Sequence, residues 1–184
     1  KIRAVQKAKG ERGVPLTVNV PYGYVKDPEN PKHWLVDPEA AAIVKRIFSM
    51  CMEGRGPTQI ANQLWADKVL TPTAYKLSHG RSTNAPAPED PYRWDKRAVS
   101  LILERREYTG CTVNFKTYTN SIWDKKRHLN PVENQTIFPD THECIIDDDV
   151  FEKVQEIRNQ RHRMTRTGKS SIFSGMVYCA DCGS

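Results

Sequence analysis

No run of the 184 residues is apolar over the length that a membrane-spanning helix needs. The opening stretch, KIRAVQKAKGERG, has no apolar core behind its charges, so it does not read as a secretory signal. Both absences argue against a membrane partner, and the expected location is the cytoplasm. Cysteine is scarce: of five, only Cys179 and Cys182 stand close together, which is no disulfide framework and fits a reducing compartment. No nucleophile–base pair and no complete set of metal ligands is visible, so this chain is not expected to be an enzyme by itself. What it does have is positive charge, 28 Lys and Arg against 22 Asp and Glu, a net charge of +6. That balance favours a polyanionic partner, although basic proteins that never meet nucleic acid share it. With 38% hydrophobic residues the chain can build a modest core, in one large or two small domains.

The most informative stretch is WDKRAVSLILERREYTG, residues 94–110. Asp95 is a good N-cap, since its carboxylate can accept from an orphan backbone N–H and suits the positive end of a helix. Tyr108-Thr109-Gly110 marks the expected exit. Between them Val99, Ile102 and Leu103, flanked by Ala98, share one face at helical period, while Lys96, Arg97, Ser100 and Glu104 share the other. Arg can pair bidentately with guanine, Ser can bond a base or a phosphate, and Glu can accept from the cytosine amino group, so the second face carries residue types that read a major groove. An ordinary solvated face would carry similar residues.

Charge is also crowded at the start, where Lys1, Arg3, Lys7, Lys9 and Arg12 face a single Glu11. Residues 1–16 read as a basic arm or the end of a helix. With Gly10 and Gly13 interrupting it and no apolar face to bury, the arm is expected to be mobile without a partner and to track phosphates, unless it is a plain linker or tag. From Pro21, PYGYVKD and HWLVD flank the turn-rich PENPK and predict a short hairpin whose Tyr22, Tyr24, Trp34 and Val36 cap the core. Asp37-Pro38-Glu39 then starts a helix with a buried stripe of Ile43, Val44, Ile47, Phe48 and Cys51, ended by Gly54. A second helix opens at Gly56-Pro57-Thr58, buries Ile60, Ala61, Leu64 and Trp65, and stops at Lys68–Pro72.

Two short helices followed by a third with a polar face fit a helix-turn-helix. The proline-rich stretch 73–93 reads as a long surface loop, which such a domain keeps only if the loop has a task. Beyond Gly110, CTVNFKTYT predicts a strand and a wing, with Lys125, Lys126 and Arg127 in its turn and a return strand near 135–138. Asp147-Asp148-Asp149 precedes VFEKVQEIRNQRHRM, whose core face is Val150, Phe151, Val154 and Ile157. Acids before a helix are better read as capping than as a metal site.

The tail YCADCGS places Cys179 and Cys182 at the spacing of a zinc knuckle, with Gly183 behind them. Tetrahedral zinc needs four ligands, and no second such pair is present; His142, Cys144 or His162 are candidates to complete it, without support from spacing. A redox reading lacks the βαβ context it needs.

Taken in order, VPYGYVKD, HWLVDPEAAAIVKRIF, GPTQIANQL, LTPTAYKL, YRWDKRAVSLILERREYTG, THECIIDDDVFEKVQEIR and FSGMVYCADCGS resemble the carboxy-terminal DNA-binding portion of the large serine recombinases, the integrases and transposon resolvases of mobile elements. The resemblance runs over essentially the whole chain. It implies an α+β fold, a mostly helical winged helix-turn-helix-like recombinase domain at 17–165 with short β-hairpins and a long C-terminal helix. Residues 1–16 would be the end of a helix from an absent catalytic domain, and 166–184 the start of a truncated zinc ribbon. In that family the catalytic serine and its arginines lie in an amino-terminal domain, and no Ser here sits in a matching motif. The resemblance thus implies sequence-specific binding of double-stranded DNA at an attachment or transposon-end site, within a parent that is dimeric, and tetrameric on synapsed DNA. Zinc is expected in the intact parent and none in this fragment. The helix at 94–106 would enter the major groove, and the Lys1–Gly13 arm would follow the minor groove near the crossover site; the basic charges of the arm and of Lys125, Lys126 and Arg127 are expected to contact the backbone. The alternative is a winged-helix protein-interaction or regulatory module with an incidental basic surface.

Overall fold

A computed structural model of the chain describes residues 2–16, 19–81, 83, 85–119, 123 and 126–160. Lys1, Lys125, Cys179, Cys182 and the 166–184 stretch lie outside the described residues, as does the side chain of Arg3. Among the described residues six helices and three antiparallel strand pairs form an α+β fold. Helix α1 spans Ile2–Glu11, strands β1 (Tyr24–Lys26) and β2 (Trp34–Val36) pair as a hairpin, and helices α2 (Pro38–Met52), α3 (Pro57–Ala66), α4 (Pro72–Ser78) and α5 (Lys96–Leu103) follow. Strands β3 (Thr112–Asn114) and β6 (Thr136–Phe138) pair around the inner pair β4 (Thr117–Tyr118) and β5 (His128–Leu129), and α6 is Asp148–Asn159. No helix among the described residues is long and apolar enough to cross a membrane.

The core is built where α2 meets α3, α5 and α6, with α3 also against α5. Val44, Ile47, Phe48 and Cys51 of α2 are buried at helical spacing and meet Ile60 and Leu64 of α3, Val99 and Leu103 of α5 and Phe151 and Val154 of α6 in one cluster. Burying a side chain of this kind is worth about 1.5–3 kcal/mol each, which makes this cluster the main source of stability. The β1–β2 hairpin closes one side: Tyr22, Tyr24 and Trp34 are buried, as the alternating sequence predicts, with Tyr22 edge-on to Trp94 and Tyr24 tilted against Trp34.

Several sequence expectations are corrected. Trp65 is not core. It stands 45% exposed at the side of α3, with its indole N–H donating to Asp90 Oδ2 at 3.0 Å, while Ile60, Ala61 and Leu64 suffice to bury the face. The stretch 73–93 is not all loop: Thr71 caps α4 by accepting from Ala74 N, with Pro72 in its first turn. Tyr75 of α4 is buried, and its hydroxyl donates to Asp37 Oδ1 at 2.9 Å. Asp37 does occupy the N-cap of α2, but its carboxylate serves α4 and Arg81 (3.0 Å) rather than the helix's own N–H groups. Helix α5 ends at Leu103 rather than near Tyr108, because the backbone extends at Arg105 and then tightens into a 3-10 turn, Arg106–Thr109. Asp147 holds the N-cap position of α6 without a side-chain cap bond, and Asp148 and Asp149 supply first-turn charge.

The largest departure is at the start of the chain. The helix α1 runs through Gly10, and the chain that follows is docked rather than loose. Asn114 of β3 is buried and holds it with three hydrogen bonds: its Oδ1 accepts from Leu16 N (3.2 Å), and its Nδ2 donates to Gly10 O (3.1 Å) and Val14 O (3.0 Å). A Cβ at Gly10 would stand 2.4 Å from Phe115 Cζ, and Gly13, at φ +77, lies on the Phe138 ring. Both glycines are there so that backbone can lie on aromatic faces, a contact that side-chain periodicity does not reveal.

Asn114→Ala is therefore expected to free this joint. Losing buried hydrogen-bond partners costs about 1–3 kcal/mol, read as a lowered urea midpoint with faster amide exchange at Leu16. A variant with wild-type stability and exchange would show that the aromatic contacts alone hold the arm.

Candidate nucleic-acid interface

Helix α5 is fixed from three sides. Asp95 Oδ1 accepts from Arg97 N at 2.9 Å, Val99, Ile102 and Leu103 are buried, and Gln155 of α6 donates to the terminal Leu103 carbonyl at 2.8 Å. The opposite face is left outward. Lys96, Arg97 and Leu101 are exposed and Ser100 is half-buried, and no ion pair among the described residues engages Lys96 or Arg97. Glu104, at the C-cap, belongs to the same face but is already committed: its Oε1 meets Arg158 Nη2 of α6 at 2.5 Å. The structure thus brings together the four residues that the sequence places on one side and distinguishes them by their partners.

Sequence reasoning passed over Leu101, which is 47% exposed. It lies four residues after Arg97, so helical spacing already places it on the outward face. A leucine there is apolar surface in the middle of a basic helix face, chemistry suited to a thymine methyl. A second cationic group was also missed. Lys76 of α4 is half-buried, and its pKa is lowered by burial first, then by the nearby Arg105 and Arg81 guanidiniums. Its ammonium donates to the Val20 carbonyl at 3.4 Å. Nothing in the sequence spacing brings these three together, since they come from α4, the chain after it and the turn after α5.

The arm residues Lys7, Lys9 and Arg12 are exposed, with Lys7 3.8 Å from Glu11 one turn on. Lys126 and Arg127 are exposed just before β5, beside an exposed Trp123. No group of three His, Cys, Asp or Glu side chains among the described residues could hold a metal ion. His142, a candidate to complete a zinc site, is otherwise occupied: Nε2 donates to Glu107 O at 2.8 Å and Nδ1 lies 3.0 Å from Thr141 Oγ1. Cys144 is exposed.

The end of α1 and the β1–β2 hairpin enclose a cleft of about 240 Å³. Arg12, Gly13, Asn30, Lys32, His33 and Thr141 are among its lining residues, and among the described residues no carboxylate lines it. The buried His142 also lines it, and burial lowers the His142 pKa more than its bond to Glu107 raises it.

A family model described as Recombinase matches residues 38–161. The chain is 33% identical over 90 residues to the Uncharacterized protein YefB of Bacillus subtilis (strain 168), a match covering 49% of this chain and 30% of that protein. Among solved structures, the fold is similar to an LSR–DNA complex, with a TM-score of 0.58 at 17% identity, covering 99% of this chain and 47% of that one. It is also similar to a structure concerned with the sequence requirements of the Listeria innocua prophage attP site, with a TM-score of 0.57 at 18% identity, covering 100% of this chain and 63% of that one. The chain thus spans less than two thirds of each of these relatives, and under half of two of them.

A pH dependence follows from His142. An unfolded imidazole takes a proton near 6.5, whereas the buried one takes it only at lower pH, so acid protonates the unfolded chain first. The stability held above the unfolded value is lost as pH falls through the lowered folded value. Urea midpoints measured from about pH 7.5 to about pH 5 should therefore fall, and His142→Gln, which keeps an N–H for the Glu107 carbonyl, should flatten that fall. An equal fall in the variant would assign it to other groups.

Proposed function

Because the chain belongs to the Recombinase domain family of the serine recombinases, we propose that it is the part of a site-specific recombinase that binds duplex DNA and selects its sequence. The observation that carries this reading is the outward face of α5. A helix anchored by core residues on one side presents Lys96, Arg97, Ser100 and Leu101 on the other, with Lys96 and Arg97 in no ion pair among the described residues. A protein-binding face would be expected to offer a larger apolar patch than the single Leu101. The likeness in fold to a protein solved with DNA supports the same reading.

In this proposal Arg97 and Ser100 read base edges, Leu101 packs on a thymine methyl, and Lys96 approaches the backbone. Glu104 acts mainly through its pair with Arg158, which holds the end of α5 against α6. Lys7, Lys9 and Arg12, with Lys126 and Arg127, position the duplex through phosphates. The parent would carry strand exchange in a separate catalytic domain, assemble as a dimer and a synaptic tetramer, and integrate or excise a mobile element from the cytoplasm. Zinc belongs to the same proposal, bound in the parent by Cys179, Cys182 and a further pair of ligands.

Binding should weaken with salt, each neutralised phosphate contributing about −0.9 to the slope of log K against log salt. A slope near zero on a duplex selected from a random library would sink the reading. Arg97→Ala should cost about 1–3 kcal/mol on the selected duplex and little on random DNA, whereas Lys9→Ala should weaken both alike. Equal losses from Arg97→Ala on both duplexes would remove α5 as the reading helix. Elemental analysis of the 184-residue chain after dialysis against a mild chelator should find no stoichiometric zinc. One zinc per chain would show that other ligands complete the site.

A further inference from the structure

The cleft between the end of α1 and the β1–β2 hairpin is not explained by the face of α5. Its floor is polar but self-satisfied: Thr112 and Thr141 share a hydrogen bond of 2.8 Å between their hydroxyls, Thr141 reaches Gly110 O at 3.2 Å, and His142 spends Nε2 on Glu107 O. Its rim is cationic. Arg12 enters from the docked turn after α1, and Lys32 and His33 enter from the hairpin loop. No ion pair among the described residues holds Arg12 or Lys32, and His33 has Asp27 at 3.6 Å, outside the lining. Arg12 and Lys32, without a carboxylate partner among the described residues, repel one another, and an anion between them removes that cost.

Size narrows the class of anion. About 240 Å³ of open cleft is below the roughly 300–1,000 Å³ of pockets that enclose a drug-sized ligand, and it suits a phosphate-sized group that enters from solvent. Position narrows it further. The cleft lies where α1, carrying Lys7 and Lys9, meets the body of the protein through Asn114. A backbone that follows α1 is delivered to this point.

We infer that the cleft is a phosphate subsite for the DNA backbone, in which Lys32 and His33 of the β1–β2 loop join Arg12 around one phosphodiester group. The inference rests on the DNA-binding reading above and adds to it a contact supplied by a hairpin that the sequence assigns only to capping the core. The site also gives the docking of the arm a use. Gly13 and the Asn114 bonds seat the backbone of the turn that carries Arg12, so less ordering of that backbone accompanies binding.

The test uses the full chain and a duplex selected by it, with single phosphates replaced in turn by neutral methylphosphonates. The variant is Lys32→Gln with His33→Gln, two positions outside the core, and its thermal midpoint should match the wild type. In the wild type, neutralising one or two phosphates should weaken binding several-fold; in the variant those positions should become silent. The salt slope of the variant should be shallower by about 0.9 for each phosphate lost, on selected and random duplexes alike. A wild type with no salt-dependent duplex binding would overturn the DNA-binding reading and this inference with it. A wild type that binds with the expected slope, beside a variant that keeps the same slope and the same sensitive phosphates, would overturn the subsite alone. Inorganic phosphate is the remaining probe. If it shifts the His33 ring resonances while the variant binds DNA like the wild type, the cleft takes free phosphate and the assignment to the DNA backbone is wrong.

Discussion

The fold depends on one buried tyrosine in the turn after α5. Tyr108 is fully buried; its hydroxyl donates to Tyr22 O at 2.8 Å, and its own carbonyl accepts from Ile145 N at 2.9 Å and Ile146 N at 3.0 Å. Its ring is stacked beside Tyr24 and edge-on to Phe48. Four parts of the chain that are distant in sequence therefore meet at a single residue: the first hairpin, α2, the turn after α5 and the segment leading into α6. Burial drives the phenol pKa upward, which keeps the hydroxyl a neutral donor over the working range of pH. Next to it, Glu107 is 2% exposed and meets Lys116 through both oxygens, at 2.6 and 2.7 Å, so the turn also fixes the root of the β3–β6 ribbon. Removing Lys116, which is itself partly exposed, would strand the Glu107 carboxylate in the interior.

What the sequence made legible is what local rules govern. Asp95 caps α5, Pro38 opens α2, the two arms around PENPK pair, and β3 finds β6, because caps, prolines and alternation act within a few residues. The features that escaped are set by partners far along the chain. Helix α4 was hidden although Thr71-Pro72 is itself a start signal, because the prolines beyond it outweighed that signal; its anchor, the bond from Tyr75 to Asp37, spans 38 positions. Trp65 followed the apolar period of α3 but turned outward to Asp90, 25 positions on. The docking of the arm depends on Asn114, about 100 positions away, and on two phenylalanine rings that welcome bare backbone. Periodicity reports which face is apolar and says nothing of a glycine that is buried by having no side chain.

The structure also sorts the basic residues, which composition treats alike. Arg46 is committed to Asp67, Arg81 to Asp37, Lys116 to Glu107 and Arg158 to Glu104, so these cations serve the fold. Asp37 shows the effect: burial pushes its carboxyl up, yet hydrogen bonds from Arg81 and Tyr75 hold it below the usual range. Lys96, Arg97, Arg12 and Lys32 have no such commitment among the described residues and remain for a polyanion. A net charge of +6 is thus less informative than the list of cations whose charge the protein has not already answered.

The seat of α1 also has a mechanical consequence. The end of this helix is held, at Gly10 and the turn beyond it, while residues 4–9 are exposed. Ten residues rising about 1.5 Å each give a rod of about 15 Å hinged at one end. A rotation of about ten degrees at the glycine joint then sweeps the far end by about 2.5 Å, close to half a helical turn. Because Gly10 lies on Phe115 and Gly13 on Phe138, the rod has little freedom to twist about its own axis without lifting off one ring. The angle at which the rod leaves the body is thus transmitted over its length as a displacement.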